Sequence, residues 1–252
     1  PRSTLFPYTT LFRSSAPRQA GSRMLILADG SSIDTIGGGA VEKQVVDEAL
    51  ALFTTGGTRL LRYDLGHDLS MACGGTMSVF LEVLQPVQPL LIFGAGHIGL
   101  ALASLGKLLG YPVTIVDNRP EFANKERFPA ADRIIARHYD QALVDLPFTD
   151  HTYIVIVTHR HLHDQELLQH CLSQPFAYLG MIGSRSKVKT ILADVQKNGV
   201  SAEVLDRVHS PIGLDLGAQT PAEIAVAIAA EWIACRHGKS HINFMTLTGN
   251  HQ

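Results

Sequence analysis

The feature that most constrains this chain is a glycine loop, Gly94-Ala95-Gly96-His97-Ile98-Gly99. It stands between the apolar run Leu90-Leu91-Ile92-Phe93 and a helical stretch from about Ile98 to Leu109. A short run with no polar residue fits a strand buried on both faces. In a Gly-x-Gly-x-x-Gly turn the first glycine makes the tight turn and the second lets the backbone approach a pyrophosphate. The third lets helix and strand pack closely. The helix start supplies unpaired N–H groups and the positive end of the dipole. Asp117 closes the next strand, 18 residues after Gly99, where a carboxylate accepts hydrogen bonds from ribose hydroxyls. Arg119, two residues on, leaves room for a further anionic group. The expectation is a Rossmann-like α/β domain whose loop, including His97, receives a phosphate-bearing ligand.

The same rhythm continues to residue 240. Strand candidates are Val113–Asp117, Ile134-Ile135, Tyr153–Thr158 and Phe176–Met181, and helices are expected near 164–172, 186–198 and 222–237. The last opens on Thr220-Pro221 with Glu223 three residues after the threonine, a capping box with proline at the first helical position. Strands alternating with helices predict a parallel sheet covered on both faces.

A small α+β domain precedes it, over residues 15–85. Residues 22–28, the Asp29-Gly30 turn and Ser31–Ile36 read as a hairpin. Ala40–Phe53 has the helical period, Leu60–Leu65 and Met77–Leu84 read as strands, and Cys73-Gly74-Gly75 lies between those two. Gln85 is followed by the linker 86–89, stiffened by Pro86 and Pro89. Residues 241–252 form a tail. Residues 1–14 repeat Ser-Thr-Leu-Phe as Thr-Thr-Leu-Phe, lack a helical period and a signal-peptide cleavage site, and are read as a non-native segment outside the fold, resembling a translated sequencing adapter.

Composition narrows the function classes. Lys+Arg is 21 against Asp+Glu 23, so no clustered basic excess points to nucleic acid. No apolar run reaches the roughly 18 residues of a membrane span. Cys73, Cys171 and Cys235 are too few and too scattered for a disulfide framework, which argues for a reducing, cytoplasmic setting.

Other segments carry chemistry. Cys73, between glycines that leave room for a bulky ligand, is either an exposed thiolate for a soft metal or a packed small hydrophobe. Cys171 and Cys235 read as core residues. The loop Thr158-His159-Arg160-His161-Leu162-His163-Asp164 is open to three readings: a zinc site through its three histidines, a ligand-facing loop using His159 or Asp164, or a solvated loop. After Tyr178–Met181, Gly183 permits close backbone approach, and Ser184, Arg185 and Lys187 either hold an anion or are solvated. Ser210–Ala218 is a glycine-punctuated loop that closes over the sheet edge or merely connects.

In this order, Ser15–Met24, Ile36–Glu42, Cys73–Gly75, the Gly94 loop, Thr158-His159, Tyr178–Lys187 and Pro211–Ala230 resemble the XdhC/CoxI family, accessory proteins of xanthine dehydrogenase and related molybdenum hydroxylases. Members of that family carry a further helix and strand before the segment matching Ser15–Arg18. The resemblance implies a maturation factor, a cofactor-binding chaperone rather than a catalyst. Such a protein binds molybdenum cofactor as cargo, supports its sulfuration with a cysteine desulfurase, and delivers it to an apo-hydroxylase. It further implies that Cys73, with Gly74 and Gly75, contacts the molybdenum through the bound cofactor. Gly94, Gly96, His97, Gly99 and Asp117 then form a nucleotide or pterin-phosphate site, joined by Thr158, His159, Gly183, Ser184, Arg185 and Lys187. Cys73 is expected at the carboxyl edge of the Rossmann sheet; the oligomeric state is left open, an incomplete first domain with exposed apolar residues favouring a homo-oligomer. The competing readings are an NAD(P)-dependent oxidoreductase using the glycine loop, a zinc hydrolase using His159, His161 and His163, and an interaction scaffold.

Overall fold

The computed structural model describes residues 4–5, 8–10, 21–64, 76–84, 86–159 and 161–239, with backbone alone for 4–5, 8–10, 161 and 162. The Cys73-Gly74-Gly75 turn lies outside the described residues. The chain divides into two compact units, residues 1–86 and 87–252.

In the first unit the strands are β1 (Thr4–Leu5), β2 (Tyr8–Thr10), β3 (Met24–Leu27), β4 (Ser32–Asp34), β5 (Thr58–Asp64) and β6 (Thr76–Leu84), with helix α1 (Gly39–Thr55) between β4 and β5. All pairings in this sheet are antiparallel; β6 pairs β5 over residues 76–82, β2 over 78–80 and β1 at 83–84. Residues 4–5 and 8–10, which the sequence sets apart from the domain, take strand conformation within it. Along β6 Met77, Val79, Leu81 and Val83 are buried on alternate positions. They pack with Met24 and Ile26 of β3 and with the α1 stripe Val41, Val45, Ala49 and Leu52. That is a one-faced sheet closed by one amphipathic helix.

The turn into α1 is held by Glu42. Its Oε1 accepts from the N–H groups of Ile36 (2.9 Å), Gly37 (3.2 Å) and Gly38 (2.8 Å), and from the Thr35 hydroxyl. Burial alone raises this carboxyl, but the Thr35 and backbone donors outweigh it and hold its pKa below the ordinary value. Glu42→Ala takes the acceptor from the Ile36 and Gly38 N–H groups and leaves Gly37 N–H only Thr35 Oγ1, at 3.1 Å. It is expected to destabilise the first unit by about 2 kcal/mol, read as a lower urea midpoint at unchanged slope.

The second unit contains β7 (Leu90–Phe93), α2 (His97–Leu108), β8 (Val113–Asp117), β9 (Arg133–Ala136), α3 (Tyr139–Leu143), β10 (Tyr153–Ile156), α4 (His161–Leu172), β11 (Tyr178–Met181), α5 (Arg185–Lys197), α6 (Ala202–Leu205), β12 (Val208–His209) and α7 (Pro221–Arg236). Its sheet runs β12-β11-β10-β7-β8-β9, parallel throughout. This is the Rossmann order. The chain steps outward from β7 to β9, then returns to β10 on the other side of β7.

Alternate side chains of each strand enter opposite layers. Leu90, Ile92, Val113, Ile115 and Tyr153 pack with Leu102 of α2 and Ile228 and Trp232 of α7. Leu91, Phe93, Val116, Ile154 and Ile156 pack with Tyr139 of α3, Leu168 of α4 and Ile191 of α5. Burial on both faces is why these strands read as unbroken apolar runs. The capping box at Thr220 and Glu223 forms with both hydrogen bonds, and Pro221 is the first helical residue.

Candidate functional site

The order reversal between β7 and β10 opens a crevice at their carboxyl ends, where open α/β sheets bind ligands. The glycine loop follows β7 and Thr158-His159 follows β10, so these two segments form its walls. They touch closely. A Cβ on Gly94, whose φ is +122°, would overlap the Val157 carbonyl oxygen and lie 2.7 Å from its carbon. A Cβ on Gly99 would overlap the Gly94 carbonyl oxygen. Gly96 differs: a Cβ there meets nothing within 4 Å. The first and third glycines are therefore set by packing, and the second leaves open space in front of the helix start.

Gly96 is also the N-cap of α2, and no side chain caps that helix. The first-turn N–H groups and the positive end of the dipole face the space that Gly96 leaves, which suits an anion. His97 is exposed at this end.

Asp117 is at the expected place but faces inward. Its carboxylate is fully buried, and its two oxygens accept four hydrogen bonds. Ala95 N–H donates to Oδ2 at 2.8 Å and Arg119 Nη2 to the same oxygen at 2.8 Å. Arg119 N–H and Nε donate to Oδ1 at 3.0 Å and 2.8 Å. Four donors fill the lone-pair sites of a carboxylate. Burial raises its pKa, but the Arg119 guanidinium and the two backbone N–H groups outweigh that and hold it below the ordinary value. The ribose-acceptor role expected for Asp117 therefore meets a group that is already saturated and that ties the glycine loop to β8. Arg119 and Arg127 both lie over the Phe122 ring, 4.0 Å and 5.0 Å from its centroid, and Arg127 Nη2 donates to the Ala95 carbonyl at 3.4 Å.

On the other wall a buried carboxylate joins two predicted residues. Asp164, 1% exposed, accepts from Thr158 Oγ1 at 2.6 Å and from Lys187 Nζ at 2.6 Å. Lys187 is thus turned inward rather than toward solvent. Ser184 caps α5 by accepting from the Lys187 N–H at 3.4 Å, and Gly183 lies against the Lys187 stem. Arg185 is exposed and reaches Asp215 at 3.4 Å. It lines a shallow cleft of about 300 Å³ with Ile212, Leu214 and Ile224, so the Ser210–Ala218 loop does lie at this edge of the sheet.

Sequence reasoning missed Tyr139. It is 2% exposed, its hydroxyl has no hydrogen-bond partner among the described residues, and it feels the charges of Asp117, Arg119 and Asp164. Burial first, and then the nearby carboxylates, push its pKa up, so the phenol stays a donor. Asn118 Oδ1 and His163 Nδ1 are likewise buried without a hydrogen bond; Glu166 Oε2 is 3.6 Å from His163 Nδ1, beyond bonding distance. Unsatisfied polar atoms at the carboxyl edge of the sheet that also carries an uncapped helix start mark an edge where a polar ligand fits. Short α3 carries no periodic signal that would have singled Tyr139 out.

His159 and His163 have ring centroids 6.0 Å apart, while the His161 side chain lies outside the described residues. Among the described residues no group of three or more His, Cys, Asp or Glu is placed to hold a metal ion. No described helix is long and apolar enough to cross a membrane.

Comparison with known proteins converges on one lineage. Residues 90–232 match the XdhC Rossmann domain, and residues 9–64 match the XdhC and CoxI family. YqeB of Escherichia coli (strain K12) is 36% identical over 224 residues, covering 87% of this chain and 41% of that protein. A Bacillus subtilis (strain 168) protein, named as a probable subunit of xanthine dehydrogenase, is 35% identical over 161 residues, covering 64% of this chain and 47% of that protein. The chain thus spans less than half the length of these two relatives. The molybdenum cofactor insertion chaperone PaoD of Escherichia coli (strain K12) is 24% identical, covering 89% of this chain and 80% of that protein. In fold, the crystal structure of a protein named as a xanthine dehydrogenase from Bacillus halodurans agrees at a TM-score of 0.56, with 22% identity over 94% of this chain and 93% of that one.

Proposed function

We propose, because the chain belongs to the XdhC/CoxI family, that it is a cofactor-handling protein for a molybdenum hydroxylase. In this reading it binds molybdenum cofactor as cargo, holds it while a cysteine desulfurase supplies the sulfido ligand, and delivers it to apo xanthine dehydrogenase or a related enzyme. The observation that carries the reading is the open helix start at Gly96, on the same carboxyl edge of the sheet as the buried, unpartnered Tyr139 hydroxyl and Asn118 side-chain carbonyl, which follow β9 and β8. The cargo has a phosphate tail and a hydrogen-bonding pterin. The α2 N–H groups would hold the phosphate, and Tyr139 and Asn118 would offer a donor and an acceptor. The names of two relatives, one a molybdenum cofactor insertion chaperone and one a probable part of xanthine dehydrogenase, support the same direction. Cys73 is assigned to the metal end on the family motif, where a thiolate is a suitable soft ligand.

The test is a content measurement. Protein expressed in a cofactor-producing host is expected to retain molybdenum and pterin, and Cys73→Ala to lose both at an unchanged melting temperature. Equal molybdenum in wild type and variant would overturn the role given to Cys73. Absence of pterin from both, with apo-hydroxylase left inactive, would overturn the function. The Rossmann order favours a second reading, an NAD(P)-dependent oxidoreductase, in which a dinucleotide occupies the same loop. NADH and NADPH titration followed by a turnover screen separates the two.

A further inference from the structure

A second group of reactive side chains lies away from the glycine loop, where α7 passes β12. Glu231 and Cys235 are four residues apart on α7 and share one face of the helix. His209, from β12, stands against both. Its Nδ1 is 3.3 Å from Glu231 Oε1, and its Nε2 is 3.9 Å from Cys235 Sγ. The imidazole is held in place by stacking on Tyr178, with centroids 4.6 Å apart and planes 30° apart. Glu231 is held in turn by the Tyr178 hydroxyl and by the Gly213 N–H at 3.1 Å. Its pKa sits below the ordinary value: burial raises it, but His209, Tyr178 and Gly213 together outweigh burial. An ionised Glu231 takes the Nδ1 proton of His209 in a hydrogen bond, which leaves the Nε2 lone pair facing the thiol.

Nucleophile, base and orienting carboxylate are therefore in the order that thiol catalysis uses. Cys171 shows the contrast. It is fully buried, burial pushes its pKa up, and it is a core residue as its sequence position predicts. The sequence predicts the same for Cys235. It is half-buried instead, beside a His209 side chain that is 35% exposed, so a small reagent can reach the pair.

We propose that Cys235, His209 and Glu231 form a thiol-exchange site whose substrate is a small disulfide. An acyl substrate needs N–H donors for its oxyanion. The Gly213 N–H and Tyr178 hydroxyl already serve Glu231, whereas displacement at sulfur needs no such donors. His209 Nε2 takes the Cys235 proton as Sγ bonds to one sulfur of R–S–S–R. The S–S bond breaks, the departing thiolate takes the proton from His209, and Cys235 carries S–R. Cys235 is oxidised and the leaving half is reduced, so no other electron carrier is required. Burial and the Glu231 charge raise the thiol's pKa, so at neutral pH the proton must be removed within the step.

The experiment uses the full chain with oxidised glutathione and follows the mixed disulfide at Cys235 by peptide mapping across pH 5.5–9.5, with Cys73 as internal comparison. The other groups around the pair are Glu231, Tyr178, Tyr153 and Tyr111, and the Arg236 guanidinium over the Tyr111 ring. Burial holds the phenols protonated across this range, so they do not contribute to the profile. The rate should rise well below the pH at which the raised thiol ionises on its own, because the proton leaves within the step. His209→Gln should slow it about 100-fold at pH 7 and move the rise up to the thiol's own ionisation. An unmodified Cys235 in a sample where Cys73 reacts would overturn the proposal. So would a rate that His209→Gln leaves unchanged. If that variant fails to fold, His209→Asn repeats the comparison and the wild-type profile also decides: a single rise above pH 9 sinks the site.

Discussion

Gly96→Ala should leave the fold intact and weaken ligand binding at the loop by roughly 10- to 100-fold, while Gly99→Ala should damage the fold itself. The two residues stand three apart in one turn, yet the physics at each is opposite. Gly96 has φ −72° and ψ −167°, an extended conformation open to any L-residue, and its added methyl meets no atom within 4 Å. The folding cost should stay within about 0.5 kcal/mol. That methyl would, however, occupy the space in front of the α2 N–H groups. A phosphate pushed off charge-assisted hydrogen bonds loses about 1.5–3 kcal/mol, or roughly 10- to 100-fold in affinity. At Gly99 the methyl meets the Gly94 carbonyl oxygen, which is backbone and cannot rotate away. α2 would have to move off β7, at a cost of about 3 kcal/mol. Thermal melts and titration with NADPH, alongside bound pterin content, check both halves. Equal loss of stability in the two variants would show that Gly96 is a packing residue too, and would remove the open space on which the ligand reading depends.

The contrast shows how far the sequence is legible. Helices read near 98–109, 186–198 and 222–237 form within a residue or so at either end as α2, α5 and α7, because each carries a period and a stop signal. Doubly buried strands are visible as apolar runs for the reason that buries them. α3, α6 and β12 are not visible, since two to five residues cannot display a period. The partnerships are hidden as well. Asp164 reads as part of a loop open to zinc, ligand or solvent, but Lys187, 23 residues on, draws it inward. Cys235 reads as core from the apolar face of its helix, and only the return of the chain at His209 changes that environment. Motifs report what one segment can do. Which way a charged group turns is decided by segments folded beside it.

Asp117 is the sharpest instance, and its replacement should cost more than any other single change of a charged residue in the second unit. An acid at the end of the second strand matches a ribose acceptor, but the cue for its actual orientation is Arg119, two residues later. With Asp117 gone, the Arg119 guanidinium and the Ala95 N–H lose their acceptor in a place closed to water. Breaking a buried pair by removing one partner costs about 3–5 kcal/mol. Arg119 retains some exposure, 23% of its side chain, so Asp117→Asn should fall at the lower end. Asparagine keeps the shape but carries one acceptor where the site has donors on both sides. The pH dependence has a definite sign. The folded pKa of Asp117 is depressed below its unfolded value of about 3.9, so its contribution is complete above that value and is lost as pH falls through the folded pKa. The difference in melting temperature between wild type and Asp117→Asn should therefore be constant from pH 7 to about 4 and shrink only below that. Subtracting the two curves cancels Glu42, which titrates in both proteins. A ribose acceptor behaves otherwise: its loss leaves the unliganded protein as stable as before and weakens nucleotide binding alone. Lowered stability without ligand, vanishing in acid, would identify Asp117 as the strut that holds the glycine loop open toward its ligand.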